Sequence, residues 1–206
     1  MKLTLPTLLT LLRIALVPVL VVLFYIPYTW YNLASVIVFV LAAATDIADG
    51  AIARSMGQTS RFGAFLDPVA DKIMVSTALV LLVQRQETYQ ALFAVASAVI
   101  IGREITISAL REWMSEIGER ALVSVTWVGK TKTVFQMTAI GFLLYHDDLA
   151  RIPVALIGEL LLYTAAALTL WSMWSYLQAA WPAITQARFH GADADSDADS
   201  DNEAGA

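Results

Sequence analysis

The sequence predicts an all-α integral membrane protein with six transmembrane helices. Three observations carry that prediction. Of the 206 residues, 58% are apolar and only 15% charged, with mean hydropathy +0.66, more apolar than a soluble domain of this size sustains. The apolar residues gather into six runs close to the ~20-residue length that crosses a bilayer. Between the runs stand glycine, proline, aromatic and charged residues, the usual punctuation of helix ends.

The runs fall at 8–27, 31–55, 62–84, 90–113, 124–145 and 153–179. Lys2 is the sole early basic residue and no small-residue cleavage site interrupts the first run, so this run is expected to stay as a span. Pro27-Tyr28-Thr29-Trp30-Tyr31 forms an aromatic turn suited to a membrane interface before the second run. Gly57 is the expected stop of the second helix, with Thr59 or Ser60 as N-cap of the third. His146-Asp147-Asp148 and Pro153 separate the fifth run from the sixth and read as a solvated loop. Most of the Trp and Tyr residues stand near span ends, as interfacial anchors do.

Charge divides the chain into two parts. The net charge is −5, but Gly191 to Ala206 alone holds five Asp and one Glu without a base. The rest carries twelve acids and thirteen bases, against 18 and 13 in the whole chain. Residues 1–189 are therefore expected to form one nearly neutral membrane domain, and 190–206 an acidic disordered tail. Nothing in this balance calls for a nucleic-acid partner. The absence of Cys excludes disulfides and thiolate metal centres. Six spans place both termini on one side. Ten basic residues lie toward that side, against Arg85 and Arg151 on the other, so it is expected to be cytoplasmic.

Four aspartates stand where packing gives them no purpose. Asp46 and Asp49 close the second run, and Asp67 and Asp71 open the third. Each Asp costs roughly 2.5–3.5 kcal/mol at a bilayer centre, less near the interface, so a cluster needs cations to offset its repulsion. At 100° per residue, Asp49 lies about −60° from Asp46, Gly50 about +40° and Ala53 about −20°, so these four share a face. Gly63, Asp67 and Asp71 step by four along the next helix and share another. With the two faces opposed, four carboxylates converge in a site suited to two hard divalent cations, Mg²⁺ or Mn²⁺. Such a pair clamps the attacking and leaving oxygens of a phosphoryl displacement.

Gly50, Ala53 and Gly63 leave room for a flat or phosphorylated ligand, though small residues also serve helix packing. Arg54 is placed to carry diphosphate charge, or to act as a snorkelling anchor. Pro68 removes one backbone hydrogen bond within the third helix, beside the site.

Read as D-x2-D-G-x2-A-R-x8-G-x3-D-x3-D, residues 46–71 resemble the CDP-alcohol phosphatidyltransferases at all eight fixed positions. The resemblance implies six transmembrane helices, a homodimer and two divalent cations held by Asp46, Asp49, Asp67 and Asp71. It implies displacement of CMP from a CDP-linked lipid by an alcohol whose hydroxyl proton passes to Asp71. Gly50, Ala53, Arg54 and Gly63 would then contact the CDP portion. Pro6 to Arg13, Arg61 to Lys72, Arg103 to Met114, Gly129 to Thr133 and Leu168 to Met173 are similar to bacterial members that take CDP-diacylglycerol as donor and sn-glycerol 3-phosphate as acceptor. The acidic tail departs from the pattern.

A dianionic acceptor beside four carboxylates needs cations. Arg103 and Arg111 lie about 80° apart on the fourth helix, and Lys130 and Lys132 open the fifth. Arg103 follows an apolar run, and a base inside a membrane span is a functional candidate by default. Arg103, Arg111 and Lys132, with Lys130, are the expected acceptor-phosphate ligands, and Glu104 is expected to orient a neighbouring Arg. A structural ion pair with Glu104 is the alternative for Arg103. Two other readings remain open: a different acceptor (inositol phosphate, serine or phosphatidylglycerol), and a divalent-cation carrier. The carrier reading lacks acids continuing a path to the opposite side.

Overall fold

The computed structural model describes residues 5–26, 30–56, 61–87, 89–116, 127–149 and 152–203. Within these, the side chains of 6, 47, 49–56, 61, 64, 115–116, 127–130 and, Trp181 apart, all after 178 lie outside the described set. Six helices follow one another: α1 (Leu5–Tyr25), α2 (Tyr31–Met56), α3 (Arg61–Arg85), α4 (Gln90–Glu116), α5 (Trp127–Tyr145) and α6 (Val154–Glu203). They overlie the six runs expected from hydropathy. The boundary residues Gly57, Thr59 and Ser60 lie outside the described residues.

Among the described residues, three helices contain segments long and apolar enough to cross a membrane: Thr7–Tyr25, Gln90–Met114 and Val154–Gln178. In α2 the apolar stretch is shorter, Tyr31–Asp46, because the carboxylates begin there. The 21 residues of α1 span about 31 Å, close to the bilayer core. Pro6 sits in the first turn of α1, where a missing N–H costs nothing. Helix α6 runs for 50 residues and takes in most of the acidic stretch.

The chain alternates up and down, and polar contacts tie each end. At one end Tyr25 bonds Gln84, Arg85 donates to the Tyr31 hydroxyl (3.0 Å), Asn32 to Asp147 (2.9 Å) and Gln86 to Glu159 (2.7 Å). Arg85 also lies over the rings of Phe24 and Tyr31. His146 takes a left-handed conformation (φ 61°) that turns the chain out of α5 toward α6. Between the ends, Leu20, Leu79, Phe93, Ile100, Ile140 and Leu162 are buried in one apolar core. Helices α5 and α6 approach closely there: a Cβ on Gly158 would lie 2.8 Å from Leu143 Cγ and 3.2 Å from its backbone nitrogen. The opposite end, built from the starts of α1, α3 and α5 and the later parts of α2, α4 and α6, holds the buried charges Arg13, Arg103 and Lys132.

Candidate active site

Helix α1 supplies the wall that the local pattern does not announce. It packs against both α2 and α3, which touch each other little. Arg13, one of the most buried side chains in the molecule, extends from α1 between the acidic faces of these two helices. Its Nη1 lies 2.8 Å from Asp46 Oδ1, 3.0 Å from Asp71 Oδ1 and 3.9 Å from Asp67 Oδ1. Thr10, one turn earlier on α1, donates to Asp67 Oδ1 at 3.3 Å. Asp46, Asp67 and Asp71 therefore converge, around a guanidinium from a third helix.

Exposure decides what this arrangement can do. The Arg13 side chain is 1% exposed, whereas Asp46, Asp67 and Asp71 are 37%, 47% and 48% exposed. The cation forms a floor and the acids stand between it and solvent. Among the described residues one positive charge faces three negative ones, an excess of negative charge on the accessible side. Hard oxygen donors of this charge suit a hard divalent cation, and Arg13 marks where positive charge is already accepted. Among the described residues no group of three or more His, Cys, Asp or Glu is arranged to hold a metal ion by itself. The Asp49 side chain lies outside them, as do those of Gly50, Ala53 and Arg54. Gly63 is partly buried near the start of α3.

A polar cavity of about 140 Å³ opens beside Asp71, lined also by Lys72, Ser76, Glu104, Thr133 and Gln136. Behind Glu104 lies a second charged cluster. Lys132 bonds Glu104, and Arg103 reaches the same oxygen at 3.4 Å while donating to Ser172 Oγ at 3.2 Å. Arg103 lies over the Tyr176 ring at 5.5 Å, and the exposed Arg111 over the same ring at 5.9 Å. One aromatic ring of α6 thus gathers two arginines that the helical wheel separates. Glu104 pairs with both Arg103 and Lys132, a contact common to an orienting role and to a structural ion pair. The side chain of Lys130 lies outside the described residues.

A wider groove of about 700 Å³ runs between α2 and α5, lined by apolar residues including Val36, Phe39, Val40 and Phe142. Met137 lines both this groove and the polar cavity, so an apolar surface continues from the charged end toward the other end of the bundle.

Arg13 is one of the ten basic residues counted toward the side read as cytoplasmic, and no local pattern gives Thr10, Lys72, Ser108 or Tyr176 a role. A signal existed for Arg13, since a base within an apolar run is expensive unless it has partners there. Lys72 and Ser108 meet across α3 and α4, with Nζ 2.7 Å from Oγ, a contact no local pattern indicates.

The family model described as CDP-alcohol phosphatidyltransferase matches residues 3–171. A protein of Yersinia pestis (strain Pestoides F) is 51% identical over 181 residues, covering 88% of this chain and 97% of its own. One of Pectobacterium atrosepticum is 52% identical over 180 residues (87% and 96%), and one of Salmonella choleraesuis 49% over 180 (87% and 96%). All three bear the name CDP-diacylglycerol--glycerol-3-phosphate 3-phosphatidyltransferase.

Proposed function

The chain belongs to the CDP-alcohol phosphatidyltransferase family, and on that premise we propose that it transfers a phosphatidyl group from CDP-diacylglycerol to sn-glycerol 3-phosphate. The products are phosphatidylglycerophosphate and CMP, a step of phospholipid biosynthesis. The observation that carries the reading is the convergence of Asp46, Asp67 and Asp71 on one buried cation, in a chain about half identical to relatives bearing that name.

Asp46, Asp49, Asp67 and Asp71 hold two divalent cations in this reading. When bound, those cations neutralise charge on the diphosphate and on the departing CMP. Arg13 orients Asp46 and Asp71 from below and limits their mutual repulsion. Gly50, Ala53, Arg54 and Gly63 receive the CDP portion. Asp71, which lines the polar cavity, takes the proton from the primary hydroxyl of the acceptor. The hydroxyl oxygen then bonds to the lipid-side phosphorus, and the bond from that phosphorus to the oxygen bridging to CMP breaks. Positioning and electrostatics do most of the work in such a transfer. Arg103, Arg111 and Lys132, with Lys130, supply the positive field for the acceptor phosphate. The apolar groove between α2 and α5 suits a donor whose acyl chains stay in the bilayer.

The protein is an integral membrane protein. The basic residues on the side of the site support a bacterial inner membrane with site and termini facing the cytoplasm. A homodimer belongs to this reading by resemblance to the family.

The test is CMP release by detergent-purified protein given CDP-diacylglycerol and Mg²⁺, with glycerol 3-phosphate, inositol phosphate, serine or phosphatidylglycerol offered separately. Release with glycerol 3-phosphate alone is expected. Release with a different acceptor would keep the carboxylate site and overturn the acceptor.

A further inference from the structure

We propose that Lys72 is an additional acceptor-binding residue, whose ammonium, fixed in the cavity beside Asp71, takes the phosphate of the incoming alcohol. The proposal rests on the reading above that the acceptor is phosphorylated.

The cavity wall carries the argument. An acceptor whose hydroxyl reaches Asp71 must bring its phosphate into or beside the cavity that Asp71 lines. Asp71 and Glu104 both contribute negative charge to that wall. Arg103 and Lys132 do not line it: both are buried and bond Glu104, which stands between them and the cavity. Arg111 is exposed over Tyr176. Among the described residues, Lys72 is the cation on the wall.

Lys72 is also held in a way that leaves its charge available. Its Nζ donates to Ser108 Oγ at 2.7 Å and to the Pro68 carbonyl at 3.1 Å. Both acceptors are neutral, and among the described residues Lys72 makes no ion pair. An ammonium has three N–H donors, so one remains for a ligand oxygen. The two bonds fix a flexible side chain before the ligand arrives, which lowers the entropic cost of binding. Ser76, Thr133 and Gln136 add hydroxyl and amide groups to the same wall, in keeping with a polyol phosphate.

Steady-state kinetics on full-length Lys72→Gln, Lys72→Arg and Ser108→Ala test the assignment, with wild-type protein in parallel. Loss of one charge-assisted contact should raise the KM for glycerol 3-phosphate at least ~10-fold in Lys72→Gln, with the KM for CDP-diacylglycerol within about twofold. Lys72→Arg keeps the charge and should recover most of the affinity, and Ser108→Ala should fall between. An unchanged KM for glycerol 3-phosphate in Lys72→Gln would overturn the proposal. So would an equal rise in both KM values, or failure of Arg to restore the acceptor KM, which would indicate a structural role. Wild-type protein inactive with glycerol 3-phosphate would bring down the proposed function and this inference together. Active wild type with an indifferent Lys72→Gln would bring down this inference alone.

Discussion

Two charged clusters stand at the same end of the bundle and are built as opposites. Around Arg13, one buried cation faces three carboxylates from α2 and α3. Around Glu104, one carboxylate faces two cations, Arg103 and Lys132. Buried charges need partners, and unequal pairing leaves a residue of charge for a ligand. The location of that residue differs. In the first cluster the excess negative charge sits on half-exposed carboxylates above a buried guanidinium. In the second the excess positive charge lies on cations 5% and 3% exposed, behind a Glu104 that is 31% exposed. The acidic cluster is therefore open to a cation directly, whereas Glu104 stands between the cations of the basic cluster and solvent. Ion pairs of the same kind thus expose acids in one place and cover cations in the other.

The sharpest way to break this comparison is Asp71→Asn, which keeps shape and removes a base. Turnover should fall by ~10²–10⁴-fold while Mn²⁺ binding, followed by electron paramagnetic resonance, is partly retained. Near-normal CMP release would remove Asp71 as the proton acceptor. Arg13→Met probes the floor of the same cluster. It leaves three carboxylates facing one another, so unfolding in a chelator should become easier by on the order of 3 kcal/mol. Added Mn²⁺ should then raise the melting temperature of the variant more than that of wild type; an equal rise would mean that Arg13 and the metals are not linked.

On the basic side the expected effect is smaller. Arg111 is exposed and stacked on Tyr176, so Arg111→Ala should cost roughly 1 kcal/mol, about fivefold in the KM for glycerol 3-phosphate. A larger change in the KM for CDP-diacylglycerol would move Arg111 to the nucleotide. The smallest effect belongs to the acidic stretch. Deleting residues 190–206 should leave both KM values and kcat unchanged, and loss of activity would show that its six acids bear on one of the clusters.

Much of the fold was legible because its causes are local. Apolar runs of bilayer length located all six helices, and the carboxylates in α2 and α3 stood out because desolvating them is costly. The steps of three and four among Asp46, Asp49, Asp67 and Asp71 placed each pair on one helix face without reference to the rest of the chain. The partners were not legible in the same way. Arg13 resembled one more positive-inside residue, and Lys72 only the neighbour of Asp71. Arg103 and Arg111 lie about 80° apart on one helix, and Tyr176 of α6 is the ring that both meet.

By itself the sequence determined the membrane class, the helix order and the set of acids and bases able to do chemistry, because periodicity and solvation cost act over a few residues. Only the tertiary structure decided which charge neutralises which. Arg13 meets Asp71 across 58 positions, Glu104 meets Lys132 across 28, and Arg103 meets Ser172 across 69. Such pairings depend on which helices become neighbours in the bundle, and that is settled by packing among all six.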